Sequence, residues 1–127
     1  NEYIGWYEGL PDKIDTMKWT SAYDKPLVMS ELGAEAPYNH HGDALTRWTE
    51  EFQANFYEHQ IGMLKKITFL RGLSPWILKD FRSPRRWLPD IQDFYNRKGL
   101  VSDRGERKMA FYVLQRYYRD IANSWKP

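Results

Sequence analysis

The segment Lys25-Pro-Leu-Val-Met-Ser-Glu-Leu-Gly-Ala-Glu35 carries a short apolar run into a carboxylate, with a glycine two residues beyond it. Leu27, Val28 and Met29 read as a buried strand, bounded by Lys25-Pro26 upstream and by Gly33 and Pro37 downstream. Glu31 therefore falls at the carboxyl end of a strand, the rim of α/β sheets and barrels where ligands bind and chemistry occurs. Taken alone, the segment also fits a solvated charge at a strand end. His40-His41, with Glu35 and Asp43 near in sequence, invites a metal reading. Adjacent loop histidines seldom point at one ion, so a loop or substrate-contact role is expected and no metal site is assigned. No Gly-rich phosphate loop and no Ser-His-Asp constellation stands out.

Three strand-like segments alternate with helical ones around this carboxylate. The first strand is expected at Tyr3 to Tyr7, followed by a polar connector in which Pro11 and Asp12 suit a helix start. The second is Leu27 to Ser30. A long helix is expected from about Asp43, a candidate N-cap, to Lys66, with Leu45, Trp48, Phe52, Phe56, Ile61 and Leu64 as its apolar stripe. The third strand is expected between Phe69 and Leu78. The loop from Lys79 to Ser102 carries Arg82, Arg85 and Arg86; with more than twenty residues and no periodicity, it reads as functional or partner-covered. The last helix is expected from about Glu106 to Asn123, with Met109, Ala110, Val113, Leu114, Tyr117 and Ile121 on one face.

Alternating strands and helices are the grammar of a parallel sheet or a (β/α)₈ barrel. A whole barrel needs about 250 residues, and the chain has 127, so a fragment of one is expected. Nineteen basic and seventeen acidic residues leave a net charge of +2, which argues for neither nucleic acid nor membrane as partner. No apolar run approaches the ~20 residues needed to cross a bilayer. The absence of cysteine excludes disulfides, thiolate metal sites and a cysteine nucleophile, and leaves the compartment open. Aromatic content is high, at 17%; such residues pack cores and also form the floors on which sugars and bases stack.

Four motifs occur in order: Asn1-Glu-Tyr-Ile-Gly-Trp-Tyr7, Pro26-Leu-Val-Met-Ser-Glu-Leu-Gly-Ala34, Pro75-Trp-Ile-Leu-Lys-Asp-Phe81 and Asn96-Arg-Lys-Gly-Leu-Val101. Together they closely resemble the C-terminal part of the catalytic barrel of glycoside hydrolase family two, from its sixth strand through its eighth helix. The resemblance implies a retaining exo-β-glycosidase with Glu31 as nucleophile, and β-glucuronides or β-galactosides as the best-matching substrates. The partner acid would follow an asparagine on a strand upstream of Asn1, so this chain is expected to hold half of a catalytic pair and to be inactive alone. The double-displacement mechanism requires no cofactor.

The same resemblance implies the remaining site residues. Tyr3 and Tyr7 correspond to tyrosines near the nucleophile, with strand packing as the alternative. Asn1 falls at the pocket rim, and Trp76 lies beneath the sugar. Asn96 and Lys98 match an Asn-x-Lys motif that binds the carboxylate of a uronate, although the motif is also widespread in members acting on neutral sugars. The glucuronidase pattern has an arginine where this chain has Gln92 and Asp93; the Arg82, Arg85 and Arg86 cluster could compensate or be a solvated loop face. Glu35 is expected to face the loop, and Asp80 to order loop residues beside Phe81. The implied partners are the carbohydrate substrate and the N-terminal part of the barrel, in the same or a separate chain; a homo-oligomer of the full enzyme is compatible. A rival reading is a non-catalytic carbohydrate-binding or split barrel fragment.

Overall fold

A computed structural model describes residues 2–125. Its elements are a 3-10 turn at Pro11–Thr16, β1 (Leu27–Met29), α1 (Glu50–Leu64), β2 (Leu70–Leu73), β3 (Phe81–Arg82), β4 (Tyr95–Asn96) and α2 (Met109–Ser124). The class is α/β, with no closed sheet among the described residues. β1 and β2 pair in parallel, Val28 opposite Gly72 and Met29 opposite Leu73, while β3 and β4 form an antiparallel pair. Short backbone links extend the parallel pair on both sides. Glu2 N–H donates to Glu31 O, Ser74 N–H to Met29 O, Trp76 N–H to Leu32 O and Ile77 N–H to Lys98 O, all within 3.1 Å. Four segments of the chain, near residues 2, 31, 76 and 98, are thereby laid side by side.

α1 sits at the centre. Phe52, Phe56, Tyr57, Ile61, Met63 and Leu64 are buried, as are Gln53 and Gln60, so the helix is covered on most of its circumference. It packs on the 3-10 turn on one side and on Ala110, Val113 and Leu114 of α2 on another. Burial of these apolar side chains stabilises the fold. Val28, by contrast, is 60% exposed in the middle of β1, leaving one face of the two-stranded sheet uncovered. An isolated two-stranded sheet is marginal in water.

Four expected elements are corrected. Tyr3 to Tyr7 is a turn rather than a strand: Trp6 and Tyr7 N–H both donate to Tyr3 O at 3.0 Å, and Gly5 takes φ +88°, which reverses the chain. α1 starts at Glu50, not near Asp43. Asp43 instead closes a local turn, accepting from the N–H groups of Leu45 and Thr46, while Thr49 Oγ1 accepts from Phe52 N–H as the true N-cap. Trp48, at φ +73°, separates the two turns, and Leu45 of the expected stripe is exposed. The third strand is limited to Leu70–Leu73, and α2 begins at Met109 rather than Glu106. The long loop contains β3 and β4. No helix among the described residues is long and apolar enough to cross a membrane.

Candidate active site

Glu31 lies two residues past β1, half-buried, beside the turn that begins at Tyr3. The backbone bridge between Glu2 and Leu32 brings that turn alongside, and Tyr3 Oη donates to Glu31 Oε1 at 2.5 Å. Burial, and then the bond to Glu31 and its negative charge, push the Tyr3 phenol well above the usual tyrosine range, so it remains a donor. Among the described residues nothing donates to Glu31 Oε2. One oxygen of the carboxylate thus has a phenol donor and the other has none among the described residues.

A second cluster stands next to the first. The Tyr7 ring is 5.1 Å from that of Tyr3, and Tyr7 Oη accepts from Lys98 Nζ at 2.9 Å and from Arg86 at 3.4 Å. Burial raises the Tyr7 phenol, but the two cations outweigh it and leave its pKa below the ordinary tyrosine value. Lys98 is 1% exposed at its side chain, and its ammonium sits near the faces of Tyr3, Trp6 and Tyr7. Glu35 compensates it at 2.7 Å. Glu35 itself is fully buried, contrary to the loop-facing expectation. Its other oxygen accepts from Gln92 Nε2 at 2.8 Å and from Arg97 N–H, while Arg86 approaches to 3.5 Å. Buried carboxylates are tolerated only when so paired.

The other expected residues fall as follows. Asn96 is buried in β4, and its Oδ1 accepts from Lys98 N–H at 3.0 Å, so it shapes the turn that carries the lysine. Trp76 is half-buried and linked to Leu32 through its N–H; its ring meets Phe81 edge-on at 6.0 Å, and the Trp76–Ile77 peptide is cis. Asn1 lies outside the described residues. Of the basic cluster, Arg86 turns inward to Glu35 and Tyr7, whereas Arg82 and Arg85 are exposed. His41 pairs with Glu51, and no group of three or more His, Cys, Asp or Glu side chains suited to a metal occurs among the described residues.

The structure also recruits residues that the sequence did not single out. Gln53, from the middle of α1, donates to Ala34 O and Gly99 O and so ties the helix to the segments carrying Glu35 and Lys98. Lys108 is fully buried, with Asp80 at 2.8 Å. Its position at the N-terminus of a helix was the available signal, because a cation there opposes the helix dipole. Tyr7, Glu35, Arg86 and Gln92 line, with Trp6, Arg47 and Trp48, a cavity of about 380 Å³. A larger cavity of about 600 Å³, between Trp19 and Phe69, contains none of the expected site residues.

No protein-family model matches the chain. It is 31% identical to the β-glucuronidases of Chlorocebus aethiops and Homo sapiens, in each case over 97% of the chain and 20% of the relative. Among solved structures, the family-two β-galacturonidase of Eisenbergiella tayi bound to galacturonate superposes with a TM-score of 0.79, at 26% identity over 98% of this chain and 23% of that one. The β-glucuronidase of Dictyoglomus thermophilum gives 0.78, at 26% identity over 93% of this chain and 22% of that one. Over nearly its whole length the chain resembles β-glucuronidases and a family-two glycoside hydrolase of known structure. It spans about a fifth of the length of the curated relatives it matches. Those relatives are thus several times longer than this chain.

Proposed function

We propose that this chain is the C-terminal part of the catalytic (β/α)₈ barrel of a retaining exo-β-glycosidase, supplying its nucleophile and the pocket for a uronate glycone. In this reading Glu31 Oε2 attacks the anomeric carbon while Tyr3 holds Oε1, giving a covalent glycosyl-enzyme that water later hydrolyses. The general acid is a carboxyl group about 5–5.5 Å across the scissile bond, contributed by the barrel's N-terminal part. That part also covers the exposed face of β1. Trp76 offers an apolar platform to the sugar ring.

The observation that carries the uronate assignment is the charge balance at Tyr7. Lys98 and Arg86 both donate to its phenol oxygen, and Glu35 is the carboxylate that compensates them. Two cations against one anion leave a net positive site, buried enough for the charge to act at close range. A sugar carboxylate completes it; a neutral hydroxymethyl group does not.

The test compares aryl β-glucuronide with aryl β-galactoside hydrolysis by the enzyme completed with its N-terminal part, before and after Lys98→Ala. The ratio of kcat/KM for glucuronide over galactoside is expected to fall about 100-fold, the equivalent of one charged hydrogen bond of roughly 2–3 kcal/mol. Destabilisation caused by depriving Glu35 of its lysine affects both substrates alike, so the ratio isolates the carboxylate contact. An unchanged ratio contradicts the uronate assignment, and binding without turnover of either substrate contradicts the enzyme assignment.

A further inference from the structure

The least expected polar feature lies one layer behind the cation pocket. Lys108, the residue just before α2, is completely buried, and each of its three ammonium protons has an acceptor: Asp80 Oδ1 at 2.8 Å, Ala36 O at 2.6 Å and Arg97 O at 3.0 Å. Asp80 is buried as well, and the same Oδ1 accepts from Gly99 N–H at 2.8 Å. Two of the acceptors are chosen tellingly. Ala36 follows Glu35, and the Arg97 carbonyl belongs to the peptide group that leads into Lys98.

We propose that Asp80 and Lys108 are positioning residues that fix the Lys98 ammonium and its Glu35 partner in register with Tyr7. The inference rests on the reading of Lys98 as a substrate contact, and it deepens that reading by naming what holds the contact in place. The segment from Asn96 to Gly99 is pinned from three directions: by Asn96 Oδ1 on Lys98 N–H, by Asp80 on Gly99 N–H and by Lys108 on Arg97 O. Ala36 N–H also donates to Arg97 O, joining the strip after Glu35 to the strip before Lys98. There is little slack, because a Cβ added to Gly99 would lie 2.2 Å from Asp80 N and 2.5 Å from Val101 O.

Packing alone does not call for this pair. α2 is already anchored to α1 through Ala110, Val113 and Leu114, and a buried ion pair is commonly no more stabilising than an apolar one of similar volume. Burial raises the Asp80 carboxyl above, and lowers the Lys108 ammonium below, its ordinary pKa, which shows the desolvation that the pair sustains. What an apolar pair would not supply is the set of directed bonds to Ala36 O, Arg97 O and Gly99 N–H. Those bonds define where Lys98 emerges.

The experiment uses the enzyme completed with its N-terminal part and needs no turnover, so it fails or succeeds independently of the glycosidase assignment. The double variant Asp80→Asn/Lys108→Met removes both charges together and leaves no lone buried ion. Two local readouts follow: the rate at which an amine-acylating reagent modifies Lys98, mapped by peptide mass, and the phenol titration of Tyr7, assigned by its loss in Tyr7→Phe. In the folded double variant Lys98 is expected to react about ten times faster, as its restraint is released. The Tyr7 midpoint is expected to move up toward that of ordinary tyrosine as the Lys98 hydrogen bond weakens. A general loss of stability would speed the acylation through more frequent opening but would leave the Tyr7 midpoint of the folded protein unmoved, so the two readouts must shift together. Lys108→Gln, which keeps a donor for one of the two carbonyls, is expected to give intermediate shifts and serves where the double variant does not fold cooperatively. Unchanged Lys98 protection or an unmoved Tyr7 midpoint in a folded variant overturns the proposal.

Discussion

Glu31→Gln is expected to reduce the kcat of the completed enzyme on an aryl β-glucuronide by at least about four orders of magnitude, the scale on which removing a covalent nucleophile acts. The substitution is nearly isosteric, and the amide oxygen can still accept from Tyr3 Oη where the carboxylate accepts at 2.5 Å. The fold and the Tyr3 contact are therefore retained, and the loss falls on the chemical step. Neither the cation pocket at Lys98 nor the platform at Trp76 involves Glu31 directly, so KM should change little. Kinetics with purified wild-type and variant enzyme decide it. A loss smaller than about 100-fold would mean that Glu31 assists the reaction without forming the covalent bond.

Gly33→Ala is expected to destabilise the protein by about 3 kcal/mol or more, the range of a core position that has no room for an added carbon. A Cβ at Gly33 would sit 2.2 Å from Trp76 O and 3.2 Å from Tyr57 Oη. The first of these neighbours is backbone, and it cannot swing aside: Trp76 N–H is bonded to Leu32 O and Ile77 N–H to Lys98 O. Relief requires the segment after Glu31 to part from the segment at Trp76, the two that would enclose the sugar. Gly62→Ala supplies the contrast. That glycine lies exposed in α1 with no atom within 4 Å of an added Cβ, and alanine there should stabilise by about 0.5–1 kcal/mol. Denaturant unfolding of both variants reads the difference. A Gly33→Ala protein within about 0.5 kcal/mol of the parent would show that the two segments are not packed as described.

What was legible in the sequence follows the range of the forces involved. β1 could be read from Leu27-Val-Met29 because a strand is a local apolar run, although it is not buried as expected, Val28 being exposed and only Met29 fully covered, and Glu31 because its place after that run is set by the same few residues. The last helix was legible for a similar reason, Ala110, Val113 and Leu114 of its expected face being buried and Tyr117 partly so, while Met109 and Ile121 of that face are exposed. The start of α1 was misplaced because Asp43 and Thr49 are both good caps; Asp43 caps a turn that Trp48 then interrupts. Tyr3 to Tyr7 has the spacing of a strand, and a single glycine in the left-handed region converts it to a turn. That turn is what directs Tyr3 to Glu31 and Tyr7 to Lys98.

The stretch between Lys79 and Ser102 was opaque for a different reason. Its order comes from polar contacts between residues far apart in the chain, such as Glu35 with Lys98 and Asp80 with Lys108, and no periodicity announces these. The cation cluster was visible as composition, but only the structure separates Arg86, which turns inward, from the exposed Arg82 and Arg85. Glu35 was read as loop-facing because an isolated glutamate is rarely buried; here it is buried because Lys98, Arg86 and Gln92 meet it.

The role of Glu31 is tested most directly by trapping. A mechanism-based 2-fluoro glycosyl reagent, incubated with the completed enzyme, leaves a stable glycosyl ester on the attacking carboxylate, and peptide mapping locates it. The predicted result is one equivalent of label on Glu31. A label on Glu35, Asp80 or any other carboxylate, with Glu31 unmodified, would contradict the assignment.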